Sequence, residues 1–424
     1  MKDGGWVHNQ VLLLSKDQNE VLPFRSGVSL HGHTCHSQES LGFIGRYLQT
    51  HGSLKKWIDG QKAYCHRTSG ISLDFERAYW TPPLCERMAM EVEEQQIAGL
   101  GLQPFVSLSD HNSIYASTLL RQSPEFARVP ISTEWTVPFG RAIFHIGVHN
   151  LPAASAESCM AAMHQATAAA DEQQIFRLFA EFCSIPDVLL VFNHPLWNFE
   201  KIPAPVFQYE LDRFLSSANQ YMHALEINGM RRHEENRAVL RLADAWDQVL
   251  ISGGDRHGRE PNASLNLSNA TDFSEFVDEI RIGRRSTVLI MPQYGQPFAW
   301  RMYQNFTHII ADYPHHPEGR RRWDERTYHP DRAGNVVPMA RLWKVDPPGF
   351  LKTIFSLAPA ATHLPVSSLM HRMMLAQNAS LVLPKGRPAQ EASAEAALRT
   401  ALADAQPRNR RDDYLLSRTE PASD

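Results

Sequence analysis

The sequence predicts an α/β fold: about seven strands forming a closed or nearly closed barrel, with a doubly wound open sheet as the alternative. Two observations carry this reading. From residue 27 to about 290, short apolar runs alternate with stretches of helical periodicity, as βα units do. Histidines, aspartates and glutamates also gather at or near the ends of those runs, and in α/β barrels the C-terminal strand ends are where functional groups collect.

The apolar runs place strands at 27–31, 104–109, 129–134, 143–148, 188–193, 223–228 and 248–253. Helices are expected over 83–102, over 158–183 with a break near Asp171, from about Val206 to Asn219, and over 234–248. One more is expected from Ser274 to Arg284, capped by Asp272 or Ser274. Residues 40–82 break the alternation and read as a long insertion after the first strand. Residues 295–383 form a compositionally different, mainly helical extension, with helical stretches near 349–357 and 366–377. From Pro384 onward large apolar residues are few, so a weak helix at 391–404 and a flexible tail are expected.

Composition narrows the classes. Hydrophobic content of 43% and charged content of 21% over 424 residues suit a globular protein with an ample core. A net charge of −4 argues against a whole-surface grip on nucleic acid. The Arg320-Arg321-Arg322 run could face nucleic acid, but a solvated loop is the simpler reading. Five cysteines without a CxxC argue against a disulfide framework, so a cytoplasmic setting is expected. No stretch approaches the roughly 18 apolar residues of a spanning helix, and the N-terminal apolar run is short for a signal peptide. Walker, GxGxxG and GxSxG motifs are absent from the sequence, against nucleotide-driven motors, dinucleotide redox enzymes and serine hydrolases.

The chemistry lies in the strand ends. His31 and His33 end the first strand, Asp110 and His111 the second, and Glu134 the third. His145 lies within the fourth, His194 ends the fifth, Glu226 lies near the end of the sixth, and Asp255 and His257 follow the seventh. Residues i and i+2 of a strand share a face, so His31/His33 and Asp255/His257 can each aim two groups at one point. Each such residue alone is an ordinary turn or cap residue. Assembled at one rim, so many imidazoles and carboxylates need cations between them, and that donor set suits divalent transition metals. A metal-dependent hydrolase is expected.

In order along the chain, His31-Gly32-His33-Thr34, Asp110-His111-Asn112, Glu134, His145-Ile146-Gly147, Asn193-His194-Pro195 and Gly254-Asp255-Arg256-His257 resemble the polymerase-and-histidinol-phosphatase (PHP) family of metal-dependent phosphoesterases. The resemblance covers about residues 27–260. It implies a distorted seven-stranded α/β barrel with two or three metals, manganese, zinc or iron, that hydrolyses phosphate esters. By position it implies that His31, His33, Glu134 and Asp255 hold one metal. Glu134 then bridges to a second completed by His145 and His194, and His111 and His257 serve a third. The family's acidic residue after the His-x-His falls where Gln38 stands, and neighbouring Glu39 is assigned that role instead. Residues 1–294 then form the PHP-type unit, with 295–383 as an extension of unassigned role and 384–424 as tail.

Charge chemistry leads to the same mechanism, because two nearby metals lower the pKa of a bound water and clamp phosphoryl oxygens. Asp255 or His257 is the expected proton handler, with Asp110 and Glu226 supporting the ligands from behind. Arg232 and Arg259, then Arg77, are the expected phosphate-binding cations. Arg256 is a weaker candidate, and His36 and His149 are set aside. Trp57, Tyr64, Tyr79 and Trp80 could stack on a base or pack the insertion onto the barrel. The expected substrate is a small phosphorylated molecule, possibly nucleotide-like, with no membrane partner. A metal-dependent amide or ring hydrolase and a non-catalytic metal-bound regulatory module are the alternatives.

Overall fold

The computed structural model describes residues 8–42, 52–343 and 353. Its elements in chain order are β1 (His8–Leu13), β2 (Ser26–Gly32), β3 (Glu39–Ser40), α1 (Gly52–Ser69), β4 (Tyr79–Trp80), α2 (Glu86–Ala98), β5 (Gln103–Leu108) and α3 (Tyr115–Leu120). There follow β6 (Thr133–Phe139), β7 (Ala142–His149), α4 (Ala156–Ala169), α5 (Glu172–Ser184), β8 (Leu189–Asn193), α6 (Ala204–Ala218), β9 (Ala224–Asn228) and α7 (His233–Ala245). The remainder comprises β10 (Val249–Gly253), β11 (Ser264–Ser268), α8 (Phe273–Arg281), β12 (Arg285–Ile290), α9 (Phe298–Ile310), β13 (Thr327–Pro330) and β14 (Val336–Pro338).

The molecule is a mixed α/β protein of several sheets. One five-stranded sheet runs β1-β12-β11-β2-β5 and a second runs β10-β9-β8-β7-β6. Single bridges bring the two together: Gly32 with Arg256 on one side, His111 with Glu134 on the other. No continuous ladder closes them into one barrel among the described residues. A shared apolar cluster nevertheless joins their inner faces. Val28 and Leu30 of β2 meet Leu189, Val191, Ala224, Val249 and Ile251 of the second sheet, floored by Phe273, Phe276, Val277 and Ile280 of α8.

Behind the second sheet, Trp135, Val137 and Phe139 alternate outward and pack on Phe179, Phe182 and Phe214 of α5 and α6. The break expected near Asp171 is real. Asp171 accepts bonds from the Gln173 and Gln174 amides and starts α5 as a second helix.

Three expectations need correction. A strand over 129–134 ending in Glu134 does not form; β6 begins at Thr133, so Glu134 stands near its start. Pro130 cannot donate to a ladder, whereas Pro138 is tolerated because β6 is an edge strand. β6 turns directly back into antiparallel β7, which is also antiparallel to β8, so the βα alternation lapses there. The insertion after the first strand carries regular structure of its own. It contains the 18-residue α1 and two short strands, the helical period being masked by polar residues and Gly60. The extension is not mainly helical in its described part. After α9 it supplies β13 and β14, which join β4 and β3 of the insertion in a small sheet ordered β14-β13-β4-β3. The helices expected at 349–357, 366–377 and 391–404, and the tail, lie outside the described residues.

Candidate metal centre

Local backbone devices aim the donors. Val28 and Leu30 point into the apolar interior, and strict alternation would send His31 the other way. A register shift between Leu30 and Gly32, with His31 at φ +60°, re-aims His31 and His33 to the inner face. His194, at φ +27°, likewise breaks parity after Asn193, so neighbours 193 and 194 both reach Glu134. Asp255 has φ +51°. Two glycines make room. A side chain on Gly253 would collide with Glu226, and one on Gly147, opposite Glu134, would press on His149 and Asn193.

Glu134 is the hub. It is fully buried, and five imidazoles converge on it. Its Oε2 lies 3.0 Å from His31 Nε2, 3.3 Å from His33 Nε2 and 3.2 Å from His111 Nδ1. Its Oε1 lies 3.4 Å from His145 Nδ1 and 3.1 Å from His194 Nε2. Asp255 Oδ1 stands 3.7 Å from His31 Nε2, 3.5 Å from His33 Nε2 and 3.5 Å from His257 Nδ1. Glu39 completes the rim, 3.4 Å from His111 Nε2, 3.2 Å from His257 Nε2 and 3.8 Å from His33 Nδ1. Gln38 is exposed, whereas Glu39 is buried. All nine expected ligand residues therefore meet in one place.

The outer partners fix which nitrogen faces in. Glu226 accepts from His31 Nδ1 at 2.5 Å and from the His194 amide at 2.7 Å. Ser37 accepts from His33 Nδ1 and the His111 amide and donates to Glu39 at 2.6 Å. His257 Nδ1 donates to the Asp255 carbonyl at 2.8 Å. These bonds assign Nε2 of His31, His33 and His257 as the inward atoms. The Asp110 carboxylate grips the Thr34 amide and hydroxyl at 2.6 and 2.7 Å, so it steadies the turn after His33 and orients no imidazole directly.

Charge is concentrated here. Burial opposes ionisation of Glu134, but His31, His111 and His145 hold its carboxyl well below the ordinary range. Glu39 behaves likewise between His257 and His111, and Asp255 beside Arg231. Burial lowers His33 to about 3 and His145 to about 4, keeping both imidazoles neutral. His111 is raised to about 9, because Glu39 and Glu134 outweigh its burial. Burial lifts Asp110 to about 6.

The residues fit divalent cations. His31 Nε2, His33 Nε2, His145 Nδ1 and Glu134 Oε2 are buried, face one another and lack hydrogen-bond partners. Imidazoles held from behind and aimed at one carboxylate, with His33 and His145 neutral, suit divalent cations. Four overlapping groups could each hold one: His31, His33 and Glu134; His31, His194 and Glu226; His111, Glu134 and His145; and His33, Glu39, His111 and His257.

The three expected phosphate arginines do not reach this cluster. Arg77 donates to the Gly334 carbonyl, Arg232 lies over Phe298, and Arg259 lies over Tyr313. Arg256 is a buried structural cation paired with Glu93 at 2.8 Å. The arginine that arrives is Arg231, 3.0 Å from Asp255 Oδ2 and 3.9 Å above the Trp197 ring. Sequence reasoning passed over it for its neighbour. The signal was available: Arg232 immediately precedes α7, whose first turn is acidic, so residue 231 is the one left in the turn beside the strand end. Asn193, donating to Glu134 at 3.0 Å, and Ser37 were also missed. Of the aromatic candidates, Tyr79 stacks on Tyr328, and Trp80 lies 5.7 Å from the His257 ring.

No protein-family model and no curated protein matches this chain. Among solved structures, a candidate metal-dependent phosphoesterase from Bifidobacterium adolescentis matches 48% of this chain and 92% of its own length. The TM-score is 0.32 and the identity 14%, too distant to bear on function.

Proposed function

We propose that the protein is a metal-dependent phosphoesterase whose cluster of His31, His33, Glu39, His111, Glu134, His145, His194, Asp255 and His257 holds two or three divalent ions, manganese, zinc or iron, in a distorted PHP-type barrel. One observation carries the reading: a fully buried carboxylate, Glu134, faced by five imidazoles, three of which (His31, His33 and His145) turn a buried nitrogen without a hydrogen-bond partner toward it. Such a donor set is stable only with cations between its members.

When bound, ions of this class supply a water of lowered pKa and a positive clamp on phosphoryl oxygens. The chain supplies the rest. Glu226 and Ser37 hold the imidazoles in one tautomer. His257, less buried than His33 and tethered to the Asp255 carbonyl, stands at the rim as the proton handler. Arg231, propped on Trp197, presents the guanidinium that meets charge developing on the transferred group. The substrate is then a small phosphorylated molecule.

Metal analysis of the purified protein, followed by a manganese-supplemented screen of phosphomonoesters, phosphodiesters and nucleotides, tests this. His194→Ala and Asp255→Ala are expected to abolish hydrolysis while circular dichroism stays native. Full activity in both variants refutes the assignment.

A further inference from the structure

Arg231 is fixed from behind. Its carbonyl accepts from the Arg301 guanidinium at 3.1 Å and from the Tyr294 hydroxyl at 3.3 Å, and its amide donates to the Asn228 carbonyl. The side chain crosses the Trp197 ring and reaches Asp255 Oδ2 with one terminal nitrogen. Asp255 therefore splits its carboxylate: Oδ1 faces His31, His33 and His257, and Oδ2 faces Arg231.

A second carboxylate stands beside the same guanidinium. Glu235 is the third residue of α7, and its Oε1 lies 3.9 Å from Arg231 Nε. That is ion-pair range but beyond a hydrogen bond, and both atoms are buried without a hydrogen-bond partner. Burial raises the Glu235 pKa although Arg231 and His194 oppose it, as expected of a carboxylate incompletely paired. Closing the Nε–H onto Oε1 satisfies both atoms at once.

We propose that Glu235 is a positioning residue for Arg231, an assignment that rests on the phosphoesterase reading. It takes the Nε–H and holds the guanidinium on Trp197, with terminal N–H groups left to meet the phosphoryl oxygens of the substrate. Asp255 does not suffice for this, because its charge is shared with the imidazole cluster. A cation drawn to Oδ1 weakens the hold of Oδ2 on the guanidinium. Glu235 belongs to none of the groups that could hold an ion among the described residues, so Arg231 is the cation it serves.

Hydrolysis of p-nitrophenyl phosphate by the manganese-loaded full chain, with calorimetric titration of inorganic phosphate alongside, tests this through a double-mutant cycle. Glu235→Gln is expected to lower both kcat/KM and phosphate affinity by about 10–100-fold, the usual loss for an outer support. In an Arg231→Gln background the same change is expected to do nothing further. Glu234→Gln, at an exposed position in the same helical turn, removes an equal charge and is expected to match the wild type. Three results would each overturn the positioning role while leaving the phosphoesterase reading in place: a Glu235→Gln protein equal to the wild type, a loss undiminished without Arg231, or an equal loss in Glu234→Gln. A wild type that neither hydrolyses the ester nor binds phosphate removes that reading, and the positioning role with it. Should Glu235→Gln fail to fold, Glu235→Asp in the two backgrounds carries the same comparison.

Discussion

His31, His194 and Asp255 all hold positive φ, a region that costs a side-chain-bearing residue of order 1–3 kcal/mol. Their clustering at one rim is the residue-scale mark of a site that packing alone would not choose. The i, i+2 pairing of His31/His33 and Asp255/His257 was legible in the sequence, because a period of two needs no tertiary information. The parity breaks at His31 and His194 were not legible, since a bulge depends on which strand lies alongside. Arg231 yields a test of the phosphoryl reading. Arg231→Gln should lower kcat/KM for a phosphomonoester by about 10²–10³, the usual loss for one charge-stabilising donor, with metal content unchanged. A variant that hydrolyses normally removes Arg231 from the reaction. His149 yields a test of acid stability. Burial, then the neighbouring His31, lowers its pKa to about 3, and its Nδ1 meets the Ser107 hydroxyl. Unfolded chains bind a proton at this residue near pH 6.5, so folding stability should fall as pH drops from about 6.5 towards 3. His149→Gln should flatten that part of the curve in chelator-treated protein. An equally steep loss in both proteins speaks against it.

At the scale of elements, cap chemistry read best. Asp272 accepts from the Glu275 amide at 2.9 Å, while Glu275 accepts from the Thr271 amide and hydroxyl, so α8 starts where its sequence says. Asp272→Ala should cost about 1 kcal/mol in denaturant unfolding, a typical loss for an N-cap. An unchanged midpoint would show that packing of Phe273, Phe276 and Ile280 alone fixes the helix. The β6–β7 hairpin read worst. Thr133–Phe139 and Ala142–His149 are separated only by Gly140 and Arg141, yet the apolar run from Val129 drew the strand four residues early. Glu134 was found regardless, because its acidic side chain stands out in either frame.

At the scale of the whole molecule, the gap lay in pairing between distant segments. The insertion strand Tyr79–Trp80 sits between Glu39–Ser40 and Thr327–Pro330, with Trp80 opposite both Glu39 and Thr327. No local pattern announces strands of two to four residues. Glu39, the carboxylate facing His111 and His257, is thus held by a ladder that reaches past residue 326. Tyr328→Pro, which breaks that ladder opposite Tyr79, should weaken manganese binding at the candidate site built on Glu39 by about 10–100-fold while leaving the candidate sites around Glu134 in place, as loss of an outer support does elsewhere. Titration calorimetry on the full chain reads the difference, and equal affinities throughout would disprove the link.

That ladder makes two remote stretches answerable to each other. Grafting the 40–82 segment from a kindred chain, or trimming the residues after 326, would disturb the placement of Glu39 unless both were exchanged together, so the pair is the smallest unit that redesign of this face can treat as interchangeable.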